Sequence, residues 1–351
     1  MHDGSTGRTG IRLVYALIAA AFILVGCGGT PAAQPTSAPA AAQPTNAPAA
    51  PEQPTAAAPA QQNITIKLAE NPWTGSSMNV NVAKILLEEK LGYKVEIVTI
   101  DENAQWPALA KGDLSASLEV WPSGHAEDAK KYIDGVKQVE NIGALGARGR
   151  IGWYIPTYLL AAHPELKTWE GFTKPENAAL FKTAETGEKG QFLQGDPSWV
   201  YYDADIIKNL KMDFQIVQTG SEDSMFAAVD AAYSRKQPVV FYYWAPNWAF
   251  AKYDFTKVEL PKYSEDCYAK AKEGGVACDY PEDALYKIAW SGLKDAAPDA
   301  YTLLKNMNYV NDDQVSMIGD VVLQKKSAVD AARAWIDKNP NKWQAWMPAG
   351  K

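Results

Sequence analysis

From Ile64 onward the chain alternates. Ile64, Ile66 and Leu68 are separated by polar residues, the period of a half-buried strand. A turn-rich loop follows, Asn71-Pro72-Trp73-Thr74-Gly75-Ser76-Ser77, in which Ser76 or Ser77 is placed to cap a helix. Val82, Ile85 and Leu86 form a helical stripe that runs to about Lys90, and Gly92 stops it. A strand over 95–98, a short helix over 106–110 and a strand over 114–120 complete a βαβαβ rhythm, which predicts a parallel sheet.

The second half is read the same way. Residues 128–132 look helical, 151–156 form an apolar strand crossing into a second region, and 166–172 and 175–180 are docking helices and turns. A helix over 202–210, a strand over 214–218 and a helix over 223–233 capped by Ser221 follow. The stretch V-V-F-Y-Y-W-A-P-N-W-A-F over 239–250 carries no charge. Its β-branched and aromatic start predicts a buried strand, and Pro246 should end it near Trp244. In open α/β sheets that end of a strand is where ligands bind. Strands over 258–260 and 286–290 are expected to return to the first region, and helices over 300–307, 310–318 and 327–339 to close the fold, with the Trp-rich tail packed down as structure.

The N-terminus departs from this pattern. Arg8 and Arg12 precede an apolar run over 13–25, which is shorter than the roughly 20 residues of a membrane-spanning helix. The run ends in Leu24-Val25-Gly26-Cys27, which resembles a bacterial lipoprotein signal over 1–26 and would leave Cys27 lipidated; an ordinary secretory signal would also export the chain. Residues 27–62 are mostly Ala, Pro, Gln and Thr, with A-Q-P-T repeated, and read as an extended tether. In an exported chain the two remaining cysteines, Cys267 and Cys278, read as a local disulfide rather than a metal site. The net charge of -7 argues against nucleic acid as a partner.

Trp73, Trp121, Trp199 and Trp244 each lie within two residues of a proline, at a strand end or a helix start. Trp153 and Tyr154 add a further aromatic position near the crossing. A quaternary ammonium group has no N–H to donate, so indole faces suit it, at about 0.5–2 kcal/mol per ring. Several rings give roughly 2–6 kcal/mol, short of the roughly 8 kcal/mol of micromolar binding. A carboxylate at the other end of the ligand would add the remainder, and the backbone N–H groups around Trp199 and Val200, with His125, are the candidates to meet it.

Taken together, Glu119-Val120-Trp121-Pro122-Ser123-Gly124-His125, Gly152-Trp153-Tyr154-Ile155-Pro156, Gly195-Asp196-Pro197-Ser198-Trp199 and Phe241-Tyr242-Tyr243-Trp244-Ala245-Pro246 resemble, in the same order, the substrate-binding proteins of glycine betaine, proline betaine and choline ABC transporters. The resemblance implies an α/β, two-lobed type II periplasmic-binding-protein fold, with 63–154 and 256–351 as the first lobe and 155–255 as the second. It implies box rings at Trp121, Trp199 and Trp244, His125 near a ligand carboxylate, and an aromatic contact from Trp153 or Tyr154 as in some choline-type members. Trp73 occupies the loop where choline-type members also carry an aromatic, and Trp248 reads as structural. The partners implied are a small quaternary ammonium ligand, a permease, and a membrane reached through the lipid on Cys27, with a monomer expected and no cofactor or metal.

Two other readings compete. Aromatics also line sugar sites, so an exported sugar-binding protein fits the same rings, as does a glycoside hydrolase using a pair drawn from Asp113, Glu119, Asp196 and Asp203. No G-x-S-x-G motif occurs, and three histidines give little material for a triad or a zinc site. A sensory or adhesive module could use the same clamp, since fold does not fix function.

Overall fold

The computed structural model describes residues 63–351. The signal over 1–26, Cys27 and the tether up to 62 lie outside the described residues.

The strands are β1 (Thr65–Glu70), β2 (Lys94–Thr99), β3 (Ala116–Val120), β4 (Val139–Pro156), β5 (Gly190–Gln194), β6 (Phe214–Gln218), β7 (Val240–Ala245), β8 (Phe255–Lys257) and β9 (Glu282–Trp290). They form one sheet in the order β2-β1-β3-β9-β4-β7-β5-β6, with β8 also on β4. Two parallel trios result: β2-β1-β3 in the first lobe and β6-β5-β7 in the second. Antiparallel β9 and β4 join them. Helices cover the sheet; the periodicity predicts the parallel strands, and this is the two-lobed α/β clamp that the resemblance implies.

Most local expectations hold within a residue or two. Thr74–Leu91 is a helix, and Gly92 ends it in the left-handed region at φ 73°. The strand Phe214–Gln218 stands where its pattern puts it, and Ser221 Oγ accepts the Ser224 N–H at 3.1 Å at the head of the helix Glu222–Ser234. The first helix differs at its start. Trp73, not a serine, holds its N-cap, and Ser76 Oγ instead accepts the Asn71 N–H at 2.9 Å. The tail packs down, with Trp346 buried and stacked on Trp335 at 5.6 Å.

The lobe boundaries are corrected by β4. Its first part pairs with β9 through Arg150, and from Arg150 to Tyr154 it pairs with β7. The chain therefore enters the second lobe near Arg150 rather than at 155. It leaves near Glu282, where β9 begins opposite Arg150, rather than at 255. Residues 258–260 do not return to the first lobe: Val258 N–H donates to Trp153 O at 2.8 Å, and Glu259 bridges to Thr168. The disulfide joining Cys267 to Cys278 also sits in the second lobe, where Asn209 Nδ2 donates to Gly274 O and Val276 O, both at 2.9 Å. The Gly- and Arg-rich run over 142–150 hid the long strand, because its exposed alternate positions carry little β signal.

Candidate solute-binding cleft

Trp73, Trp121, Trp199 and Trp244 come together on the wall of one cavity, part of it open to solvent. Each stands at or just beyond the carboxyl end of a parallel strand: Trp73 after β1, Trp121 after β3, Trp199 in the turn after β5, and Trp244 near the end of β7. Trp199 meets Trp244 edge to face, with centroids 4.9 Å apart and planes at 88°. Two glycines make room for the rings. A Cβ at Gly149 would lie 2.2 Å from Trp121, and one at Gly195 would lie 2.5 Å from Trp199. Tyr202, Tyr242 and Tyr280 complete the aromatic wall, and Glu102 supplies a charged group to it.

Buried carboxylates fix the rings in each lobe. Glu119 Oε1 accepts the indole N–H of Trp73 at 2.8 Å and of Trp121 at 3.1 Å. Its Oε2 accepts from Asn79 and Gln314, both at 2.7 Å. Burial pushes the Glu119 carboxyl upward, opposed by these four donors. In the second lobe Asp203 accepts from Trp153 Nε1 at 2.6 Å, Gln194 Nε2 at 2.6 Å and the Tyr280 hydroxyl at 2.8 Å. Burial raises Asp203 to about 6 against those three bonds. Both groups are tied into structural networks, which leaves neither free for the acid–base work a hydrolase would need.

The remaining predicted residues are placed differently from expectation. Trp153 is 1% exposed, lies against Phe192 at 4.5 Å and is absent from the cavity wall. Tyr154 packs on Phe250 at 5.1 Å in the second lobe's core. Both lie too deep along β4, where Ile151 is the residue that reaches the cavity. Trp248 is core, 4.5 Å from Phe226, as expected.

Val200 lines the cavity, but its N–H donates across the lobes to Glu102 Oε1 at 2.6 Å. His125 is buried, with Nε2 2.9 Å from Glu102 Oε2 and Nδ1 3.2 Å from Asp128. Burial lowers the His125 pKa, but hydrogen bonds to Asp128 and Glu102 outweigh it and raise the group from 6.5 to about 9. The imidazolium therefore serves Glu102 rather than facing a ligand. Trp106 Nε1 also lies 3.2 Å from Nδ1, a contact that only the neutral ring could accept; the two carboxylates favour the charged form. Glu102 itself went unrecognised in the sequence. Its one local sign is an acidic residue shortly after the carboxyl end of β2, the edge where such sheets bind ligands.

A second bond set closes the lobes. Glu222 Oε2 accepts both the N–H and the hydroxyl of Thr74 at 2.8 Å, and Glu222 Oε1 accepts from Asn247 at 3.2 Å. The helix carrying Trp73 at its cap is thus fastened to the opposite lobe.

Residues 64–338 match the family described as the substrate binding domain of ABC-type glycine betaine transport systems, and the chain belongs to that family. It is a solute-binding protein and not an enzyme. It is 26% identical over 267 residues to the trimethylamine N-oxide-binding protein of Pelagibacter ubique (strain HTCC1062), covering 73% of this chain and 82% of that one. Its fold is that of lactococcal OpuAC in its closed form with glycine betaine, at a TM-score of 0.65 and 21% identity, over 81% of this chain and 99% of that one. An ABC-transporter choline-binding protein in complex with choline gives 0.65 at 19% identity, over 80% and 91%. Among the described residues no helix is long and apolar enough to cross a membrane.

Proposed function

We propose that the cleft captures a small quaternary ammonium solute, such as glycine betaine, proline betaine or choline, and that closure of the lobes presents it to an ABC permease. The observation that carries this reading is the convergence of Trp73, Trp121, Trp199 and Trp244, drawn from both lobes, on one cavity. Such rings supply the negative faces and methyl contacts that a trimethylammonium head requires. Trimethylamine N-oxide, named for the Pelagibacter relative, carries the same head.

The residues before 63 complete the proposal. Cleavage before Cys27 and its lipidation would hold a monomer at the outer face of the membrane, with the Ala/Pro/Gln segment as a spacer. Incorporation of labelled fatty acid, lost in Cys27→Ala, tests the anchor, and light scattering tests the monomer. The solute is tested by isothermal titration with these four compounds, with Trp fluorescence recorded alongside. Binding of one of them with a Trp signal supports the reading. If none binds or raises the melting temperature, the reading fails, since a ligand held only by the folded state must stabilise it.

A further inference from the structure

Resting on that reading, we infer that Glu102 fills with its own carboxylate the place where the cleft would hold an anionic tail. The protein then selects a trimethylammonium cation bearing a hydroxyl over a carboxylate-bearing betaine.

The two groups suited to a ligand carboxylate are the Val200 N–H and His125, and Glu102 engages both, at 2.6 and 2.9 Å. It does so from within the cavity wall while itself only 6% exposed. A betaine carboxylate entering there would meet the Glu102 carboxylate on the cavity wall, with the His125 imidazolium off that wall and already paired to Glu102, and would find these two donors taken. Glu119 beneath Trp73 and Trp121 adds a second negative group, and Asp283, bound by Ser123 N–H at 3.0 Å and Ser123 Oγ at 2.7 Å, adds a third. All of these favour a cation.

A hydroxyl suits the same wall for a separate reason. It can donate to a carboxylate, which a betaine carboxylate cannot. It can also accept. The Trp199 indole N–H is buried without an acceptor among the described residues, and Trp199 lines the cavity together with Glu102; a carboxylate could accept from it equally, so the preference for a hydroxyl rests on donation to Glu102. Because Glu102 belongs to the first lobe and Val200 to the second, the selecting group also takes part in closure. Discrimination through a repulsive element of this kind needs no additional attractive contact.

The test is titration of the whole protein, and of its Glu102→Ala and Glu102→Gln variants, with choline and with glycine betaine, after circular dichroism has shown that each variant folds. Wild type should bind choline at least about tenfold more tightly than glycine betaine. Glu102→Ala frees Val200 N–H and His125, so choline should weaken by about tenfold while glycine betaine tightens. Glu102→Gln keeps an acceptor for Val200 N–H but removes the charge, so the choline preference should fall, with glycine betaine tightening less than in Glu102→Ala. If Glu102→Ala fails to fold, the fall in preference in Glu102→Gln decides the matter. Tighter binding of glycine betaine by wild type, or a ratio unmoved in the variants, overturns the inference and leaves the aromatic cleft intact. Failure of wild type to bind either compound, with trimethylamine N-oxide and proline betaine also silent, removes the proposed function and the inference with it.

Discussion

Trp73 and Trp121 donate their indole N–H groups to the same oxygen, Glu119 Oε1, at 2.8 and 3.1 Å. One carboxylate therefore sets the orientation of two rings of the cavity wall that lie 48 positions apart in the chain, Trp73 and Trp121. Replacing Glu119 with Ala leaves four buried donors without their acceptor. Urea denaturation should show a loss of about 3 kcal/mol or more. Solute affinity should fall at least about tenfold, and a variant that kept wild-type affinity would show that the rings hold their places without the carboxylate.

Trp244 contributes its own face and the partner for the edge of Trp199. Trp244→Ala should cost about 1–2 kcal/mol of binding for the lost ring. Titration should then read a weakening of about five- to thirtyfold, whereas Trp244→Phe, which keeps a smaller ring, should fall between wild type and Trp244→Ala.

Trp153 is the converse case. Its indole fills the second lobe's core and bonds Asp203, away from the cavity. Trp153→Phe should lower stability by about 1–3 kcal/mol. The dissociation constant should move by no more than about twofold in a variant that remains folded; a much larger loss of affinity would place this residue at the ligand after all.

Glu222 fastens Thr74 across the lobes. Glu222→Ala removes those bonds from the closed form but not from an open one. The solute should bind more weakly, by up to about tenfold, and hydrogen exchange at the start of the helix Thr74–Leu91 should quicken. Unchanged exchange there would remove the latch from the account.

His125 has a folded-state pKa raised from 6.5 to about 9. Its contribution is fully present below the unfolded value of 6.5 and is lost as pH rises through 9. The shift corresponds to at most about 3 kcal/mol. Denaturation midpoints should therefore fall between pH 7 and 9.5, and His125→Gln should flatten that slope. A wild-type curve level across this range would mean that the buried ring is neutral.

Much of this protein was legible before folding was considered. Apolar alternation located the parallel strands β1, β2, β3 and β6, and proline beside tryptophan marked the strand ends where ligands bind. These are local signals, because side-chain period and proline's missing N–H act over a few residues. Less legible was the long β4, whose Gly- and Arg-rich half pairs with β9 from the far end of the chain. Glu102 was also missed, because its meaning rests on Val200, 98 positions away.

Neighbouring residues settle which kinds of side chain stand at the carboxyl ends of these strands, since side-chain period and proline act locally. Tertiary structure alone decided which rings share the cavity. The depth along β4 sent Trp153 and Tyr154 into the second lobe's core and left Ile151 on the wall. Closure of the lobes gave Val200 a carboxylate of the protein's own, the one that also holds His125 within the first lobe. Such choices depend on strand register and lobe contact between segments far apart in the chain, and no local pattern records them.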